Sequence, residues 1–272
     1  MNVMLKKLKE SLKNVKSERM RIAVKVGSNV LTRPDGRLDI AMMASIVDQI
    51  ADLSKKGCQI LLISSGAVAS GRGELPDLES DGVEMRQLFA AVGQAKLIEH
   101  YYDLFREYGV QVGQILTTKE NFSGAEQIGN QKRCMNAMLA NGIIPVINEN
   151  DAVSVKELMF TDNDELSGLI ADMMQVDLLI ILTNVDGVFT GSPENPSSEL
   201  IRKVDPKADY TACIGKEKSS NGRGGMGSKL STACQIALGG IPVYIANGRV
   251  PGIITGVMEQ PDKYRFTMIS AE

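Results

Sequence analysis

The chain has 272 residues, 43% hydrophobic and 23% charged, the composition of an ordinary globular protein with room for a sizeable core. Its 30 basic and 33 acidic residues leave a net charge of −3, which argues against a nucleic-acid partner. Four cysteines without a C-x-x-C pair and a single histidine argue against zinc, and no apolar run approaches the ~20 residues of a bilayer span.

Residues 1–19 read as an N-terminal extension. They carry several lysines and lack the apolar stretch of a signal peptide. Met4, Leu5, Leu8, Leu12 and Val15 recur at the spacing of a short amphipathic helix. From residue 20, apolar runs at 20–26, 58–63, 110–116, 143–147 and 177–183 alternate with helical patterns near 39–56, 84–108, 125–140 and 163–175. The runs are almost wholly apolar, as expected of parallel strands covered on both faces. Their alternation with helices predicts an α/β fold with right-handed crossovers. Beyond residue 184 the chain turns rich in Gly, Pro, Ser and charge up to 224. A helix follows at 226–239, then strands at 242–246 and near 265–270. Residues 177–272 are expected to form a second lobe that continues the sheet of residues 20–176.

Four of the predicted strands end in small or polar clusters. These are Lys25-Val26-Gly27-Ser28-Asn29, Ser64-Ser65-Gly66-Ala67, Asn148-Glu149-Asn150-Asp151 and Thr183-Asn184-Val185-Asp186-Gly187. A single such cluster is an ordinary turn. In an open parallel sheet, however, the C-terminal strand ends share one edge, where ligands bind, so the four should be neighbours. The backbone at Gly27, Ser28 and Gly66 offers N–H groups to an anion, and Gly66 precedes a helical pattern. Lys25 lies inside an apolar run, and burying its ammonium requires a ligand or a carboxylate beside it.

The segment Arg223-Gly224-Gly225-Met226-Gly227-Ser228-Lys229 is not a P-loop, because Ser228 precedes Lys229 and no first strand leads into it. A glycine-rich loop opening a helix still offers N–H donors, and Lys229 adds a point charge for a phosphate. Asp162 and Asp164 precede a helical pattern. The residues alone leave open whether they cap that helix, orient the lysines or bind Mg²⁺. His100 reads as structural or surface.

The stretches VKVGSNVLT, ISSGAVASG, AAVGQAKL, GQILTT, PVINENDAV, DND, ILTNVDGVFT and RGGMGSKL resemble, in this order, the amino acid kinase family over about residues 20–270. PVINENDAV followed by DND is most similar to the members that phosphorylate the side-chain carboxylate of L-glutamate. The resemblance implies a three-layer α/β/α sandwich, with glutamate over residues 20–176 and ATP over 177–272. It implies glutamate contacts at Ser65, Asp151 and Asn163, with Asn148 nearby, and nucleotide contacts at Thr183, Asn184 and the loop from Arg223 to Lys229. Lys25 and Lys229 resemble the pair that neutralises the transferring phosphoryl group, held in place by Asp164. Asp162 is a candidate to support metal or substrate. Mg²⁺, feedback inhibition by proline, a dimer or tetramer and a cytoplasmic location are implied as well.

Three departures stand out. Asn184 occupies a position where many members carry Asp, the RNA-binding-like C-terminal PUA domain of many bacterial members is not expected here, and the lysine-rich N-terminal extension is not part of the common core. The rival readings are a related kinase acting on carbamate, aspartate, acetylglutamate or UMP, and a sensing module that binds without turnover. A dinucleotide-binding domain is disfavoured, because the first strand is followed by no G-x-G-x-x-G.

Overall fold

The computed structural model describes residues 20–78, 82–154, 162–210 and 225–271, so the extension, its expected helix, Arg223 and Gly224 lie outside the described residues. The strands are β1 (Arg21–Val26), β2 (Gln59–Ser64), β3 (Gln111–Thr117), β4 (Ile143–Glu149), β5 (Leu178–Thr183), β6 (Lys203–Val204), β7 (Val243–Asn247) and β8 (Phe266–Ile269). They form a single sheet in the order β3-β4-β2-β1-β5-β7-β8-β6. All pairings are parallel except β7 with β8.

The helices are α1 (Ser28–Leu31), α2 (Ile40–Lys55), α3 (Ala67–Glu74), α4 (Val83–Arg106), α5 (Ala125–Ala140), α6 (Asn163–Met174), α7 (Met226–Leu238) and α8 (Ile253–Glu259). Strand alternation sorts side chains between two cores, one on each face of the sheet. Ile22, Val24 and Val26 of β1 join one core with α2, α4 and α8. Ala23, two residues before Lys25, joins the other with α5, α6 and α7. The result is the expected α/β/α sandwich.

Two expectations need correction. The third apolar run is not covered on both faces, because β3 is the sheet edge and much of it is solvent-accessible. Its glutamines, Gln111 and Gln114, fit that position. The short elements β6 and α8 were not anticipated, being two and seven residues long.

Helices α3 and α4 cross at backbone contact. A Cβ on Gly93 would lie 1.9 Å from the Ala67 carbonyl oxygen, and one on Gly71 would lie 1.9 Å from that of Phe89. Gly93→Ala should therefore force the helices apart despite its better helix propensity. The expected loss is about 3 kcal/mol, seen as a fall in Tm of at least about 5 °C. An unchanged Tm would show that the crossing is not tightly packed.

Candidate active site

β4, β2, β1 and β5 are consecutive and parallel, so the four polar strand ends do lie side by side. They border a cleft of about 520 Å³. Lys25 reaches it from the penultimate position of β1, on the face covered by α6 and α7. Its residue is 3% exposed, and its Nζ lies 2.5 Å from Asp164 Oδ1. Lys229, in the first turn of α7, places its Nζ 3.0 Å from Asp164 Oδ2. Each oxygen of one buried carboxylate thus faces a different ammonium group, from opposite ends of the chain. Burial pushes the Asp164 carboxyl upward, but the charges and hydrogen bonds of Lys25 and Lys229 outweigh it and hold the group below the usual carboxylate range. With only one negative charge between two positive ones, the cluster can accept a further anion.

Asp162 plays a different part. It is the N-cap of α6, its Oδ1 accepting from the N–H groups of Asp164 and Glu165 at 2.9 and 3.1 Å. Its Oδ2 accepts from Ser228 Oγ at 2.6 Å, tying α6 to the first turn of α7. Both aspartates therefore fix where the two helices present their charges. Among the described residues no group of three or more His, Cys, Asp or Glu side chains could hold a metal. The carboxylates of Asp162 and Asp164 are already engaged with Ser228, backbone N–H groups and the two lysines, so the described residues alone do not make a cage for Mg²⁺.

A polar network carries the site toward β4. Asn163 Nδ2 lies 2.9 Å from Ser65 Oγ, 3.0 Å from Asn148 Oδ1 and 3.2 Å from the Ser64 carbonyl. Asn148 in turn donates to Gln94 Oε1 at 2.8 Å. With its amide held this way, Asn163 Oδ1 is buried with no hydrogen-bond partner among the described residues. Asp151 also lines the cleft and meets Arg86 Nη2 at 3.3 Å.

The turns supply backbone as well as side chains. Gly66 has φ = 107°, a left-handed conformation natural to glycine, and opens α3 with no side-chain cap. Gly27 behaves otherwise than the sequence suggested. Its N–H is already given to the Leu182 carbonyl at 3.2 Å, so it is not an anion donor. Its lack of a side chain eases that same approach, because a Cβ there would sit 3.2 Å from the Leu182 carbonyl oxygen. Ser28 lines the cleft.

On the far side, Thr183 lines the cleft at the end of β5, whereas Asn184 is exposed and does not border it. Gly225 caps α7 without a side-chain bond, and Met226, Gly227 and Ser228 form its first turn. Sequence reasoning missed Arg86, Gln94 and Glu149. Glu149 stood inside a noted cluster, but Arg86 and Gln94 sit on a long helix where an Arg or Gln ordinarily faces solvent.

This arrangement makes a cationic cleft suited to an anion at the carboxyl edge of a parallel sheet. The chain belongs to the amino acid kinase family, whose model matches residues 20–247. Glutamate 5-kinase from Bacteroides thetaiotaomicron is 58% identical over 249 residues, covering 91% of this chain and 69% of the relative. Glutamate 5-kinase from Chlorobaculum tepidum is 48% identical over 238 residues, covering 86% of this chain and 65% of the relative. The chain thus spans about two thirds of the length of these two relatives. The crystal structure of UMP kinase from Ureaplasma parvum shares the fold, with a TM-score of 0.63 at 16% identity, covering 93% of this chain and 99% of that one.

Proposed function

We propose that this chain transfers the γ-phosphoryl group of ATP to the side-chain carboxylate of L-glutamate. The products are L-glutamyl 5-phosphate and ADP, in the first step of proline biosynthesis. The observation that carries the reading is the pair of ammonium groups on the two oxygens of Asp164, at the edge of a cleft lined by Ser65, Asn148, Asp151 and Asn163.

The chemistry asks little else of the protein. The glutamate side chain is ionised at neutral pH, so its oxygen attacks phosphorus without a general base. Catalysis then consists of alignment and of charge placed where the transferring oxygens develop it. Lys25 and Lys229 provide that charge, and Asp164 holds them. Ser65, Asn148, Asp151 and Asn163 bind glutamate over residues 20–176. Thr183, Asn184 and the segment from Arg223 to Lys229 serve ATP over residues 177–272. Mg²⁺ enters with the nucleotide phosphates rather than in a protein cage.

Proline as a feedback inhibitor, assembly into a dimer or tetramer and a cytoplasmic location come with the family reading. The free thiols of Cys58, Cys134 and Cys234 fit a reducing compartment.

Asp151→Ala should raise the glutamate KM roughly 10- to 100-fold with little change in kcat, through loss of an acceptor for the substrate ammonium. An unchanged KM removes Asp151 from the substrate site. The function itself is tested by ADP release with glutamate, aspartate, carbamate, acetylglutamate and UMP, each with MgATP. Turnover is expected with glutamate, and preference for any other acceptor would overturn the assignment.

A further inference from the structure

A glutamate molecule presents three charges to its site, and the residues above account for two of them. The side-chain carboxylate goes to the phosphoryl group, and the α-ammonium goes to acceptors such as Asp151. The α-carboxylate needs a cation of its own that is not Lys25 or Lys229, both of which are held by Asp164.

Among the described residues two other cations line the cleft, Arg72 and Arg86. Arg72 is exposed, and its guanidinium lies 5.7 Å from the centre of the Phe89 ring, a stacking partner outside the polar network. Arg86 stands differently. Its Nη2 makes a single 3.3 Å contact with Asp151 Oδ1, not the two-pronged fork-on-fork pairing a guanidinium can form. Its Nε is buried with no hydrogen-bond partner among the described residues. An orphaned buried donor on a group built to grip planar anions points to a ligand carboxylate.

We infer that Arg86 binds the substrate α-carboxylate, so that Arg86 and Asp151 together read the zwitterionic head of an amino acid. In the cleft the two residues face each other. A bound amino acid offers Arg86 its carboxylate and Asp151 its ammonium, a charge-matched contact for each. The pair therefore selects against acceptors lacking either charge, because one of these two charge-matched contacts would not form. This inference rests on the glutamate reading of the same cleft and adds a specificity residue to it.

Glutarate keeps both carboxylates of glutamate and lacks the ammonium. 4-Aminobutyrate keeps the ammonium and the reactive carboxylate and lacks the α-carboxylate. Both are measured as competitive inhibitors of glutamate phosphorylation in wild type, Arg86→Met and Asp151→Asn, beside the KM for glutamate. Arg86→Met should raise the glutamate KM and the glutarate Ki roughly 10- to 100-fold and leave the 4-aminobutyrate Ki unchanged. Asp151→Asn should do the reverse, weakening 4-aminobutyrate and sparing glutarate. Arg86→Lys, which keeps charge but loses the fork, should fall between wild type and Arg86→Met for glutarate. It carries the same comparison should Arg86→Met fail to fold.

An Arg86 variant that weakens both analogues equally, or that leaves the glutamate KM unchanged, overturns the inference. If neither analogue binds wild type, the glutamate KM in Arg86→Met and Arg86→Lys decides alone. Wild-type protein that fails to phosphorylate glutamate would instead sink the functional reading itself.

Discussion

Lys229→Ala is expected to lower kcat by about 10²–10³-fold while leaving the KM for glutamate nearly unchanged. The reason lies in where its ammonium sits. Lys229 Nζ is 3.0 Å from Asp164 Oδ2, and its side chain is 12% exposed. A charge fixed in that low-dielectric position costs no reorganisation when the γ-phosphoryl oxygens gain charge. Glutamate itself is proposed to be held by another set of groups around Ser65, Asn163 and Asp151. The loss should therefore fall on kcat and on kcat/KM alike, the mark of an interaction made in the transition state. Steady-state kinetics at saturating MgATP checks it, and a near-normal kcat would remove Lys229 from catalysis. The fold should survive, because Lys25 still neutralises Asp164.

Asp164→Asn is the more damaging change, because it strikes stability and activity together. It leaves two largely buried ammonium groups facing each other with no counter-charge. Removing one partner from a buried charge cluster typically costs about 3–5 kcal/mol, a large part of a domain's whole stability. Activity should fall at least as far as in Lys229→Ala, since both lysines lose the group that aims them.

The same residue gives a pH signature. The Asp164 carboxyl titrates below its ordinary range in the folded protein, burial being outweighed by the two ammonium groups. The unfolded chain therefore takes up its proton first on acidification. The stabilisation from Asp164 is complete above the unfolded value of about 3.9 and is lost as pH falls through the depressed folded one. Denaturant titrations should show the gap between wild type and Asp164→Asn at its widest near neutrality and shrinking below about pH 4. A gap independent of pH would mean that Asp164 is not ionised in the fold.

The parts of this design visible in the sequence are those where local pattern and position coincide. Uninterrupted apolar runs marked the central strands, and the polar residues ending four of them marked one edge of the sheet. Lys25 signalled a hidden counter-charge, because an ammonium between Val24 and Val26 cannot remain alone. Its partner Asp164 lies 139 residues away, and that juxtaposition needed the family resemblance or the fold. Nothing in DND distinguishes the capping Asp162 from the ion-paired Asp164, since both positions suit a carboxylate at a helix start.

Other features were illegible for physical reasons. Arg86 sits in the first turns of a helix whose other charges face solvent, and only the crossing of α3 and α4 brings it to the cleft. Gly27 reads as an anion-binding glycine, yet its N–H is consumed by Leu182, a partner fixed by strand pairing across β1 and β5. The edge position of β3 was hinted at by its two glutamines but depends on strand order, which no local window contains.

In the proposed reaction the glutamate side-chain oxygen attacks the γ-phosphorus directly, with Lys25 and Lys229 supplying the positive charge. Glutamate labelled with ¹⁸O in its side-chain carboxylate tests it, with MgATP and hydroxylamine to trap the acyl phosphate. The account predicts glutamyl hydroxamate together with inorganic phosphate carrying one ¹⁸O from glutamate. Phosphate released without the label, or no hydroxamate at all, would contradict it.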